Sequence, residues 1–122
     1  MTSDDGLRIA GISLDCPDPA ALITFYVELL GGERLWEKPS SSGARIDGTV
    51  LVAQRVVPYA RPIWPGSSIV HLDLSAGAEL EEPSARAVRL GAIEVQPQPD
   101  SRWRVFLDPA GHPFCITTVT AD

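Results

Sequence analysis

The sequence predicts an α+β domain built from two βαβββ modules, and three observations carry that expectation. The stretch Val70-His71-Leu72-Asp73-Leu74-Ser75 sets Val70, Leu72 and Leu74 on one side at period two, with His71, Asp73 and Ser75 on the other. Two helical patterns stop at Leu30-Gly31 and Leu90-Gly91, 60 residues apart. The same offset lays Gly11 on His71, Ile12 on Leu72, Ser13 on Asp73 and Leu14 on Leu74, so the apolar and polar faces stay in phase. Self-similarity at a fixed offset is the mark of a duplicated unit.

The elements follow in order. Leu7 to Asp15 alternates Ile9, Ile12 and Leu14 with small or polar residues, as a half-buried strand does. Asp18 is a good helix N-cap and Pro19 suits the first helical position, where its missing N–H costs nothing. Leu22, Phe25, Tyr26, Leu29 and Leu30 then recur at helical spacing until Gly31-Gly32 ends the helix. Three strands are expected next: 33–37 with Trp36, 44–46, and 49–57, the last two joined by the turn Asp47-Gly48. The second half repeats the order. It has the strand containing His71, a helix opening at Glu79-Leu80 with Ala87, Val88 and Leu90, and strands over 93–96, 103–107 and 114–119. Asp108-Pro109-Ala110-Gly111 is the turn before the last strand.

At 122 residues and 44% hydrophobic, the chain reads as one domain over 1–122, long enough for a core without disulfides. Within it, module one is expected over 7–57, a linker over 58–68, and module two over 69–120. A net charge of −6 with scattered basic residues argues against nucleic acid as a partner. No apolar run approaches membrane-spanning length and the first residues are acidic, so a soluble, cytoplasmic protein without membrane association is expected. Cys16 and Cys115 have no CxxC spacing, and they read as reduced, partly buried thiols.

Each helix should cover the apolar face of its own sheet. If the strands curl into one curved mixed sheet with the helices outside, the opposite faces line a central cavity, where a small ligand would sit. The residues expected there are Ser13, Trp36, Gln54, His71, Asp73, Trp103 and Cys115. Trp36 and Trp103 offer flat apolar walls suited to an aromatic or amphipathic molecule, against the alternative of packing between modules. His71 and Asp73, about 7 Å apart along one strand face, are candidates for acid and base in a metal-independent lyase or isomerase. The competing reading is a structural polar pair. Neither a Gly-x-Ser-x-Gly elbow nor a dinucleotide fingerprint is present.

The motifs Asp18-Pro-Ala-Ala-Leu-x-x-Phe25-Tyr26-x-x-Leu29-Leu30-Gly31, Val70-His71-Leu-Asp, Leu90-Gly91-Ala92 and Asp108-Pro-x-Gly111-His112-Pro-Phe114-Cys115 resemble the vicinal oxygen chelate superfamily. This is the glyoxalase, bleomycin-resistance and extradiol dioxygenase group, and the small glyoxalase-like domain proteins are the nearest in pattern. The resemblance implies the paired-module fold, a small-molecule ligand and a homodimer. In metal-using members the ligands, typically His and Glu, come from the first and last strands of each module. Carried over, these positions fall on Gly11, near Val52 or Gln54, on His71 and on Cys115. Glycine binds no metal through a side chain and Cys115 stands where Glu is usual, so an incomplete metal set and no cofactor are expected. The function the resemblance implies is small-molecule binding, with metal-free acid–base chemistry as the alternative.

Overall fold

The computed structural model describes residues 7–66 and 70–118. Its elements are β1 (Ile12–Cys16), α1 (Pro19–Leu30), β2 (Glu33–Glu37), β3 (Ser41–Ile46), β4 (Thr49–Arg55), β5 (Leu72–Ser75), α2 (Glu81–Leu90), β6 (Ile93–Glu94), β7 (Trp103–Leu107) and β8 (Pro113–Thr117). The βαβββ order thus occurs twice. The strands form two four-stranded sheets, β1-β4-β3-β2 and β5-β8-β7-β6, rather than one continuous sheet. In each, the first strand runs parallel to the last and the other pairings are antiparallel.

The helix signals act as their chemistry dictates. Asp18 accepts a hydrogen bond from the Ala21 N–H at 3.2 Å, Pro19 opens α1, and Gly31 (φ 77°) closes it by donating to the Val27 carbonyl. α2 begins two residues later than Glu79, whose carboxylate instead accepts from the Glu82 N–H at 3.3 Å. Glu81 and Glu82 in its first turn and Arg89 in its last oppose the helix dipole favourably.

Several expected boundaries shift. β1 starts at Ile12 because its ladder with β4 begins at Leu51, and Leu7 and Ile9 are left exposed. β5 starts at Leu72, so Val70 is solvent-facing and His71 precedes the ladder. β4 stops at Arg55 and β6 at Glu94, while β3 extends back to Ser41 to pair with Gln54. Position 119, expected in the last strand, positions 67 and 68 of the linker, and positions 69 and 120 of the second module lie outside the described residues.

One apolar core serves both modules. α1 lies on β3 and β4 of its own sheet, and its Phe25 and Tyr26 also meet Phe114 of the other sheet, with ring centroids 5.8 and 6.2 Å away. Phe106 stacks on Phe114 at 5.4 Å. Ile12, Leu14, Leu51 and Ala53 feed this core from the first sheet, as do Leu72, Phe114 and Ile116 from the second. A polar interlock crosses the same seam. The Tyr26 hydroxyl donates to Asp108 Oδ2 at 2.6 Å, and Asp108 Oδ1 accepts from the Ala110 and His112 N–H groups, both at 2.9 Å. Both side chains are fully buried. Burial and the neighbouring Asp108 push the Tyr26 phenol far above its ordinary range, so it stays a donor.

The linker docks on the β7–β8 turn. The Tyr59 hydroxyl donates to the Ala110 carbonyl at 2.7 Å and Arg61 Nη1 to the Pro109 carbonyl at 3.1 Å. Both bonds hold the segment against the second module.

Candidate functional site

The pleat assigns the site residues to faces before any side chain is considered. Across the first sheet, Ser13, Val52, Gly43 and Trp36 lie in register, with Asp15, Gln54 and Ser41 one pleat further on. These residues occupy the face opposite Ile12, Leu14 and Ala53, which enter the core. Across the second sheet, Asp73, Cys115 and Val105 form one row and Ser75, Thr117 and Trp103 the next, opposite Leu72, Phe114 and Ile116. All six strand residues singled out by sequence fall on these non-helix faces, and His71 comes just ahead of the second.

The first sheet presents a flat aromatic platform. A register shift between Arg34 and Trp36 turns the indole over Gly43, where an added Cβ would lie 2.3 Å from the ring. Only glycine leaves room for it. The indole Nε1 donates to Ser41 Oγ at 2.9 Å, and Ser13 and Gln54 are exposed nearby on the same face.

The second sheet presents the chemically active cluster. His71 Nδ1 lies 3.1 Å from Asp73 Oδ1, and donor atoms of His71, Asp73 and Cys115 all fall within 4.8 Å of one another. The side chains of His71 and Asp73 are 38% and 64% exposed, whereas Cys115 is buried at 7%. A pair this exposed contributes little to stability, on the order of 0–1 kcal/mol. Burial, reinforced by the Asp73 charge and hydrogen bond, pushes the Cys115 thiol up to about 11. It is therefore protonated at neutral pH and a poor nucleophile. Burial pushes Cys16 up to about 11 as well. Iodoacetamide at pH 7.5 should consequently leave both cysteines unmodified in the folded protein and alkylate both in urea, as read by intact mass. Rapid alkylation of Cys115 in the native state would show that the thiol is ionised and accessible. Trp103, in the next row, carries the Arg102 guanidinium 5.0 Å from its ring centroid.

Among the described residues, the space at the seam between the modules is small. The cavity at the seam, lined by Ile12, Leu14, Tyr26, Leu72, His71 and His112, measures about 10 Å³, on the order of one water. The reason is the shared core: Phe25 and Tyr26 bring the helix-covered sides of both sheets together and leave the opposite faces open. An open cleft of about 290 Å³ lies elsewhere, at the start of α1, between Asp18, Pro19, Glu37 and Lys38. Among the described residues no hydrogen bond or ion pair joins the Ser13, Gln54 and Trp36 set to the His71, Asp73 and Cys115 set. His112, just after the β7–β8 turn, ties the modules together, its Nε2 2.6 Å from the Asp15 carbonyl oxygen.

Two βαβββ modules, each with a parallel first-to-last strand pair and a polar face turned away from its helix, define the vicinal oxygen chelate superfamily. Within it, the chain belongs to the glyoxalase-like domain family, whose sequence profile matches residues 11–117. A search of curated proteins finds no match. Solved structures with the same fold include the fosfomycin resistance protein FosX from Listeria monocytogenes in its hexagonal form (TM-score 0.73, 18% identity, covering 99% of this chain and 97% of that one). FosX from Mesorhizobium loti gives 0.69 at 16% identity, with 98% and 95% covered. A glyoxalase-related enzyme from Fulvimarina pelagi gives 0.70 at 24% identity, with 90% and 86% covered.

One Listeria FosX structure contains Mn(II) and sulfate. The residues of this chain do not fit such an ion. Manganese favours oxygen and imidazole donors in octahedral geometry. At Gly11, the position aligned with His71, an added Cβ would stand 2.8 Å from the Val50 carbonyl oxygen. That position cannot supply a ligand without moving the β4 backbone, and in the other module a thiol stands among the donors.

Proposed function

We propose that the chain binds a small aromatic or amphipathic molecule on its non-helix sheet faces, with His71 and Asp73 as the polar contacts and the indoles of Trp36 and Trp103 as walls. Ser13, Gln54 and Cys115 complete the contact set, and binding does not use a hard cation shared between modules. The observation that carries this reading is the convergence of imidazole, carboxylate and thiol on a face that the chain's own helices leave uncovered. A binding face needs a wall opposite it, and a second copy of the chain is the proposed source, giving a soluble cytoplasmic homodimer. The module limits of 7–57 and 69–120, joined by a linker over 58–68, belong to the same proposal.

The test is a thermal-shift screen of small molecules against the wild-type protein and His71→Ala. A ligand at 100 times its Kd stabilises by about 2.7 kcal/mol, and His71→Ala should remove that shift. The unliganded melting point should barely move, because an exposed pair is worth less than about 1 kcal/mol. A large drop in the unliganded protein would make His71 a structural residue and remove the site.

A second reading is metal-independent proton transfer in a lyase or isomerase, favoured by the 3.1 Å contact between His71 and Asp73. With Nδ1–H donated to the carboxylate, Nε2 of the neutral ring is left to take a proton from a ligand. For any ligand found, hydrogen–deuterium exchange at carbon, followed by NMR, should disappear in His71→Asn while binding persists. Binding without exchange in the wild-type protein would leave only the first reading.

A further inference from the structure

We infer that the Trp103 wall carries a displaceable cap: the Arg102 guanidinium, steered by Asp100, occupies an indole face that a ligand ring would use, and stacking there requires its release. The inference rests on the reading of Trp103 as a wall and adds how access to that wall is controlled.

The device is built from four consecutive residues, Asp100-Ser101-Arg102-Trp103. Asp100 Oδ1 accepts from the Arg102 N–H at 2.8 Å, which folds the chain into an Asx-type turn just ahead of β7. The same carboxylate grips the guanidinium side-on, accepting from Nε on Oδ1 and from Nη2 on Oδ2, each at 3.0 Å. The Arg102 carbonyl in turn accepts from the Thr117 hydroxyl at 3.3 Å and the Thr118 N–H at 3.5 Å, so the backbone here is tied to the end of β8. With backbone and side chain both held, the guanidinium carbon comes to rest 5.0 Å from the Trp103 ring centroid. A cation over a ring face is attracted to it, and it competes with any ring that stacks there.

The cap is removable. The Arg102 side chain is 64% exposed, so water takes over its hydrogen bonds when it swings out, and salt screens an exposed pair of this kind. Protonation is not the trigger. Hydrogen bonds from Arg102 hold the Asp100 carboxyl down at about 2, and the clamp stays charged at every ordinary pH. Trp36 provides the contrast: its ring is fixed by Gly43 and Ser41, and among the described residues no cation lies over it. One wall is open, and the other opens only when Arg102 leaves. The apparent affinity at Trp103 then falls in proportion to the fraction of molecules that are uncapped.

The experiment titrates the full chain with caffeine, an uncharged planar ring, and follows the indole Nε1–H signals of Trp36 and Trp103 by NMR. Arg102→Ala should tighten caffeine at Trp103 about 2- to 5-fold, the factor an exposed cation–π contact supports, with the Trp36 response unchanged. Asp100→Asn should move Trp103 in the same direction, and Arg102→Lys, which keeps the charge but loses the fork, should fall between wild type and Arg102→Ala. Raising NaCl from about 0.05 to about 0.5 M should tighten caffeine at Trp103 relative to Trp36 in the wild-type protein only, because only there does salt loosen a clamp. A merely structural pair would not move that readout. Melting curves of the variants should stay close to wild type, as an exposed pair predicts, and Arg102→Gln replaces Arg102→Ala if the latter does not fold. Equal or weaker caffeine binding at Trp103 in a folded Arg102 variant overturns the cap, as does a salt response that survives in Asp100→Asn. If Arg102→Ala opens Trp103 to caffeine while no small molecule gives a His71-dependent thermal shift, the cap stands and the binding reading falls. If that thermal shift is found and Arg102→Ala leaves Trp103 unaltered, the binding reading stands without a cap.

Discussion

Replacing Asp108 with Ala should destabilise the protein by about 3–5 kcal/mol, the range for removing one partner of a buried charged network. The carboxylate is fully buried and accepts three hydrogen bonds, from the Tyr26 hydroxyl and from the Ala110 and His112 N–H groups. Alanine leaves all three donors without their acceptor, and burial denies the Tyr26 hydroxyl access to water. For a domain of this size each kcal/mol shifts the melting temperature by roughly 3–6 °C, so the effect is large in a simple thermal scan. Tyr26→Phe removes one of the three bonds and leaves the carboxylate two, so it should lose only about 1–2 kcal/mol. In a double-mutant cycle the two changes should be strongly non-additive, because they share a bond. A loss below about 1 kcal/mol for Asp108→Ala would mean that water satisfies the orphaned donors and that the interlock contributes little.

That interlock also marks where sequence reasoning stops. The duplication was legible because it rests on local periodicity: the 60-residue offset aligned Ser13 with Asp73, and both do lie on the non-helix faces of their sheets. Caps were legible for the same reason, since Asp18, Pro19 and Gly31 act on neighbours within a few residues. Tyr26 and Asp108 are 82 positions apart, and each had an adequate local explanation, as a helix-face apolar residue and as a turn residue. Nothing in the spacing could connect them.

The His71–Asp73 contact was hidden for another reason. Alternate residues of a regular strand stand about 7 Å apart, which implies two separate contacts. The structure starts β5 at Leu72, so His71 is outside the ladder and its ring can turn onto the carboxylate. The small size of the space at the seam between the modules has a packing origin. Amphipathic faces predict which side of each sheet is buried, but not that one helix, through Phe25 and Tyr26, would fill the space between both sheets and leave the polar faces uncovered.

Shared packing of that kind makes Phe114→Ala the sharpest test of whether the modules are energetically separate. Phe114 is fully buried on β8 and touches Phe106 of its own sheet as well as Phe25 and Tyr26 of α1. Truncating a phenylalanine in such a setting costs about 3–5 kcal/mol, combining lost transfer free energy with a cavity that the surroundings only partly fill. The loss should be felt beyond the second module, because two of the three ring contacts belong to the helix of the first. Single-tryptophan variants retaining Trp36 or Trp103 would report on the two sheets separately. In the wild-type background and in Phe114→Ala, both probes should show one coincident urea transition, with the midpoint lowered equally for each. If Trp103 unfolds early in Phe114→Ala while Trp36 keeps its wild-type midpoint, the modules are independent folding units. The common core through Phe25, Tyr26 and Phe114 would then be a contact surface between two domains.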